Sequence, residues 1–198
     1  MKERNTQMEY LWWATVAVEN GCIVETPENV EFTPRLTRGV PFAAEFPKNA
    51  LVRMSPDSKK RTALLDDVTN SDRIKICSPR FVEFLRTRKL KNIEYLPVKI
   101  LDHKRKVAAS DYCIVHPIRL QDALVVKASQ PRWSAIEPTE IMTIKALVVD
   151  PSKVDPKVKI FRLKSFLDPV LIEKNLAQEI LEAGFKGCFF EPLETWGH

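Results

Sequence analysis

The clearest hydrophobic pattern in the chain begins at Ser78. Behind Ser78-Pro79, the residues Phe81, Phe84 and Leu85 recur at helical spacing, which predicts a helix over 79–90 with one apolar stripe. The serine hydroxyl can accept a first-turn amide, and proline suits the first helical position. Arg86, Arg88 and Lys89 fall in the last turn, where cations complement the negative end of the helix dipole. A strand over IEYLPVKIL follows, then the charged turn His103-Lys104-Arg105-Lys106, then the returning strand DYCIVHPI. Apolar residues on both faces of this hairpin place it inside a sheet. Near the C-terminus, residues 173–183 predict a second helix, closed by Gly184 as a left-handed cap, and KGCFFEPL follows.

Elsewhere the pattern is weaker. Residues 8–18 and 21–25 read as two strands around Asn20-Gly21, a strong hairpin signal. From Thr26 to Asp72 the chain is punctuated by Pro27, Pro34, Pro41, Pro47 and Pro56. Only VPFAAEF and NALVRM are strand-like there, so loops and short edge strands are expected. A strand is predicted from Ile141 to Val149, a turn over 151–156, and short strands at KIFRL and PVLI. Residues 76–98 also align without gaps on residues 171–193. Lys91 meets Lys186, Pro97 meets Pro192, and apolar character is kept at Phe81/Leu176, Leu85/Ile180 and Tyr95/Phe190. This suggests two equivalent strand-helix-strand units on one sheet. The expected fold is α+β: a largely antiparallel mixed sheet with two main helices. One domain is expected over 1–198, with a proline-spaced strand-and-loop part at 1–72 and a better-patterned part at 73–198.

A chain of 198 residues buries roughly 70% of its unfolded surface and needs no metal or disulfide to fold. No run of 18 apolar residues exists, so no membrane helix is expected. The apolar run from Tyr10 to Val18 follows Glu9, precedes Glu19-Asn20 and has no convincing cleavage site, so it reads as a strand and not a secretory signal. Cys22, Cys77, Cys113 and Cys188 form no C-x-x-C pair, and three of them sit among apolar residues; reduced thiols and a cytoplasmic location are expected. The net charge is +5, with the charges interspersed along the chain.

Chemistry is sparse. His198 is terminal, His103 belongs to a charged turn, and His116 follows Cys113 by an odd number of strand positions, so the two face opposite ways. Five glycines form no phosphate-binding loop, and no G-x-S-x-G elbow exists. Glu137/Glu140 and Asp66/Asp67 are acidic pairs of a kind usually found exposed. No catalytic residue, metal or cofactor is expected. Trp12 and Trp13 are more informative, since neighbours in a strand face opposite ways and one ring is then free to act as a binding anchor. With the polar turn Lys59-Lys60-Arg61, they are the candidate partner-binding residues. A nucleic-acid module using that turn and residues 86–91 is the rival reading, and a general adaptor is another.

The stretch from Ile76 to Ser129, together with VKIFRL and the late helix ending in Gly184-Phe185-Lys186-Gly187-Cys188-Phe189-Phe190, resembles a bacterial family. Its marks are the serine-begun helix, the I-E-x-x-P-V strand at 93–98, the hairpin strand, the IFRL strand and G-F-x-G-x-x-F. The family is the eleventh of the predicted immunity proteins of polymorphic toxin systems, and the likeness covers roughly residues 74–193. It implies a cytoplasmic protein that binds and neutralises a cognate toxin, without membrane insertion and without catalysis. The first 70 residues depart from the family pattern and are where the resemblance leaves room for partner specificity.

Overall fold

The structure is a computed structural model that describes residues 9–197. Met8, at the start of the first predicted strand, and His198 lie outside the described residues. The strands are β1 (Tyr10–Ala14), β2 (Ile23–Val24), β3 (Leu51–Arg53), β4 (Asp67–Asn70), β5 (Lys75–Cys77), β6 (Ile93–Leu101), β7 (Val107–Pro117), β8 (Arg132–Trp133), β9 (Ile141–Thr143), β10 (Ile160–Phe161), β11 (Leu171–Glu173) and β12 (Phe189–Pro192). The helices are α1 (Pro79–Thr87), the single turn α2 (Val126–Ser129) and α3 (Lys174–Glu182). The fold is α+β, with two main helices and mostly antiparallel pairing.

Six strands pair in the order β2-β4-β5-β7-β6-β3. The two edges then meet, because Val24 bridges Met54 and Glu28 bridges Leu51, so the sheet curls into a nearly closed barrel. Alternation fills it: Leu96, Val98 and Ile100 of β6 and Tyr112 and Ile114 of β7 point to one core with Val52, Met54, Val68 and Ile76. Residues of opposite parity, including Cys77, Cys113 and Val115, point outward into a second core with Phe81, Leu85, Leu176 and Ile180 of the two helices. The β6/β7 hairpin is therefore interior, as expected.

The second sheet has the order β10-β11-β1-β12. Strand β1 lies between β11 and β12 and antiparallel to both, as β7 lies between β5 and β6. Each strand-helix-strand unit thus spans a foreign strand inserted between its own two. Two similar units exist, but on two sheets and not on one.

Three further expectations fail. Asn20-Gly21 does turn the chain, with the Gly21 amide donating to the Val18 carbonyl at 3.0 Å, yet β1 and β2 enter different sheets and form no hairpin. VPFAAEF is a loop; the Phe42 and Ala43 amides donate to the Glu94 carboxylate, at 2.8 and 3.0 Å, instead of to a strand. Only Ile141–Thr143 of the long predicted strand is extended, because the Lys145 amide donates to the Ser129 carbonyl and turns the chain toward α2.

Candidate functional site

The parity of β1 decides the tryptophan question. Trp13 is 2% exposed and joins the core shared by α1 and α3, where its indole Nε1 donates to Asp67 Oδ2 at 2.7 Å. Trp12 points to the other face, half-buried, and meets Trp196 edge-on with ring centroids 4.9 Å apart. Its Nε1 donates to Thr195 Oγ1 at 3.0 Å. Trp12 and Trp196 form one wall of a groove of about 570 Å³, completed by Arg73, Met142, Phe166 and Asp168. The Arg73 guanidinium lies 5.6 Å from the Trp196 ring and pairs with Asp168 at 3.3 Å.

Two polar residues hold this groove in shape. Asn70 clamps the β4–β5 turn: its Oδ1 accepts the Ile74 amide at 3.1 Å and its Nδ2 donates to the Ile74 carbonyl at 2.8 Å. That clamp lets Arg73 hold a left-handed φ of 54° that a non-glycine residue rarely adopts. Beneath, the buried Arg162 donates to the carbonyls of Leu167 at 2.6 Å and Asp168 at 2.8 Å, and more distantly to that of Arg73. One guanidinium therefore ties both walls together. Burial pulls its pKa down to about 10, partly opposed by Asp168, and it stays charged at neutral pH.

The groove does not end at Arg73. A neighbouring cleft shares Ser71 with it and runs past Val24 and Ser55 to Ile23, and Ile23 in turn borders the cleft lined by Pro56, Lys59, Lys60 and Arg61. Trp12 and the basic triplet, far apart in sequence, thus border the two ends of a row of three neighbouring clefts, a furrow interrupted at Ser71 and Ile23.

The acidic pair Asp66-Asp67 is buried, not exposed. Asp66 accepts two bonds from Arg80 at 2.7 Å, one from the Ser78 hydroxyl at 2.6 Å and one from the Lys186 amide at 2.8 Å. Burial works against its charge, but these donors outweigh burial and keep the carboxyl below its usual range. Asp67 sits in the same core as Lys75, whose ammonium donates to the Ala14 carbonyl at 3.1 Å and Thr15 Oγ1 at 2.7 Å. Burial pushes the Asp67 carboxyl up and the Lys75 ammonium down, while the two opposite charges pull each other back. These groups join β1 to the barrel.

The remaining reactive side chains are also enclosed. All four cysteines are free, and burial raises each thiol, Cys22 to about 11, so none is activated as a thiolate. Cys113 and His116 face opposite sides of β7, as their parity predicts. His116 is buried with Nε2 2.8 Å from the Val40 carbonyl, and burial lowers its pKa. Among the described residues, no group of three His, Cys, Asp or Glu side chains is placed to hold a metal. No helix among them is long and apolar enough to cross a membrane. The cations at the end of α1 are structural: Arg86 stacks on Tyr95, and Arg88 pairs with Glu179 at 2.7 Å.

Sequence reading missed Trp196 as a partner of Trp12, and missed Arg73, Asp168 and Arg162. The one local signal was Asn70-Ser71-Asp72, a turn cluster between two short apolar runs.

The groove thus combines half-buried tryptophans with the exposed Arg73 on walls braced by Arg162 and Asn70. The family model of the immunity proteins, Imm11, matches residues 8–195, and the chain belongs to that immunity protein family. The match takes in the proline-spaced segment that the resemblance had left outside. No curated protein matches the sequence.

Proposed function

We propose that this chain neutralises a cognate bacterial toxin by binding it stoichiometrically, without catalysis or cofactor, in the cytoplasm of the cell that makes both. Membership of the immunity protein family carries the reading. The furrow supports it physically. Trp12, Trp196, Arg73 and Met142 are of the residue types enriched at protein interfaces, and they line a groove whose walls are fixed by Arg162 and Asn70 before any partner arrives. A preformed face loses little freedom on binding. Beside it, the β8–β9 ribbon exposes Trp133 and Met142, with Ile136 at its tip 95% exposed. Trp12 is the anchor of the Trp12-Trp13 pair that a partner can reach, and Lys59, Lys60 and Arg61 flank the far end of the furrow.

The test is to express the product of the neighbouring gene with and without this chain and to follow growth and complex formation. Growth arrest relieved by this chain, through a complex of fixed stoichiometry, supports the proposal. A harmless neighbour, or protection without any complex, refutes it.

A further inference from the structure

Strands β3 and β6 run parallel, with Arg53 beside Leu101 and the Met54 amide donating to the Leu101 carbonyl at 2.9 Å. The chain therefore leaves both strands at the same end of the barrel. One exit leads into the turn of Lys59, Lys60 and Arg61, the other into the turn of Lys104, Arg105 and Lys106. Residues 54–62 and 101–106 hold six of the 31 cations and two of the 26 anions, so these two segments carry +4 of the net +5. One of those anions is committed: Asp102 Oδ1 accepts the amides of Lys104 and Lys106, both at 2.8 Å.

Among the described residues none of the six cations is in an ion pair, whereas Arg35, Arg53, Arg80, Arg88 and Arg119 elsewhere each have a carboxylate. Like charges gathered at one rim repel one another, while they attract an oppositely charged partner over a Debye length.

We infer that this rim is the docking surface for an acidic face of a protein partner. The inference rests on the immunity reading, in which that partner is the toxin. Protein is favoured over nucleic acid by what surrounds the charge. Residues 54–62 and 101–107 contain no Trp, Tyr or Phe on which a base could stack, and Val107 is 59% exposed there.

Two charge reversals test this, one replacing Lys59, Lys60 and Arg61 with Glu and one replacing Lys104, Arg105 and Lys106. Their far-ultraviolet circular dichroism should match the parent's, since all six residues lie outside the strands and helices. Against the toxin, either reversal should slow association about tenfold or more at low salt, with the difference vanishing at high salt. Poly-L-glutamate should bind the parent chain in a salt-sensitive way and bind both variants weakly. A toxin that associates equally fast with the parent and both variants overturns the docking surface and leaves the immunity reading standing. If the neighbouring product does not bind at all, the immunity reading falls, and the rim is judged by the polymer alone: no poly-L-glutamate binding, or tighter binding of a short RNA duplex through the same two turns, overturns it.

Discussion

Replacing Asp66 with alanine removes the side chain that joins the barrel to the helical layer. Its carboxylate accepts from Arg80 and Ser78 at the start of α1 and from the Lys186 amide in the loop after α3. In the variant the Ser78 hydroxyl and the Lys186 amide lose their acceptor, each loss costing about 1–3 kcal/mol if the group stays buried. Arg80 is more than half exposed, so water takes over its share and it adds little. The expected total is about 3 kcal/mol, which for a chain of this length lowers the melting temperature by about 6–12 °C. We propose that the whole chain unfolds as one unit, so that a single transition shifts in both thermal and urea melts followed by circular dichroism. Arg80→Ala should cost much less, and Asp66→Asn, which keeps one acceptor, an intermediate amount. The folded carboxyl titrates below its unfolded value of about 3.9, so its contribution is complete above that pH and disappears as pH falls through the folded value. The gap between parent and Asp66→Ala should therefore narrow on acidification. A loss below about 1 kcal/mol at neutral pH, or a gap that persists into strong acid, would refute the account of Asp66 as a charged tie.

Phe81→Ala should cost about 3–5 kcal/mol in urea unfolding, because the ring is fully buried between Trp13 and Phe185; a loss near zero would mean the second core is not packed as described. Gly187→Ala should destabilise by about 1–3 kcal/mol, since Gly187 has a φ of +85° and an added Cβ would lie 2.4 Å from the Asp67 carbonyl oxygen; an unchanged urea midpoint would contradict that close approach. Trp12→Ala should weaken toxin binding by about 2 kcal/mol or more while Arg86→Ala leaves it unchanged, as read by titration calorimetry; equal effects would move the interface off the furrow. Alanine at His103, His116 or Cys113 should leave protection of growth intact wherever the variant folds, and loss of protection in a folded His116→Ala variant would reopen the question of catalysis.

What could be read from the sequence follows how local each feature is. Helix α1 was legible because its cap, first-turn proline and apolar stripe agree, and the structure uses all three: Ser78 accepts the Phe81 amide, and Phe81 and Leu85 are buried. The β6 and β7 hairpin was legible because its turn joins strands adjacent in sequence. Strand β1 has no such help. Its partners β11 and β12 lie about 160 and 180 residues onward, and a good Asn-Gly turn next to it pointed to β2 instead. VPFAAEF failed for a different reason. Its two phenylalanines are buried, meeting edge-on at 5.5 Å, but two of its amides are satisfied by one glutamate side chain, and periodicity cannot see that exchange.

Alternation, a purely local rule, reached furthest. It separated Trp12 from Trp13 and Cys113 from His116 correctly, because parity holds whichever strand becomes the neighbour. Charge behaved in the opposite way. Along the sequence the excess of +5 looks diluted, since Lys59 to Arg61 and Lys104 to Lys106 are each short turns with acids nearby. Pairing β3 with β6 in parallel brings the two turns to one rim, while Asp102 is drawn into its own turn and nine cations elsewhere pair with carboxylates among the described residues. An interspersed sequence thus becomes a segregated surface through one register, that of Arg53 against Leu101. The juxtaposition depends on that one pairing: a change that loosened β3 from β6 would disperse the charge without altering a single cation.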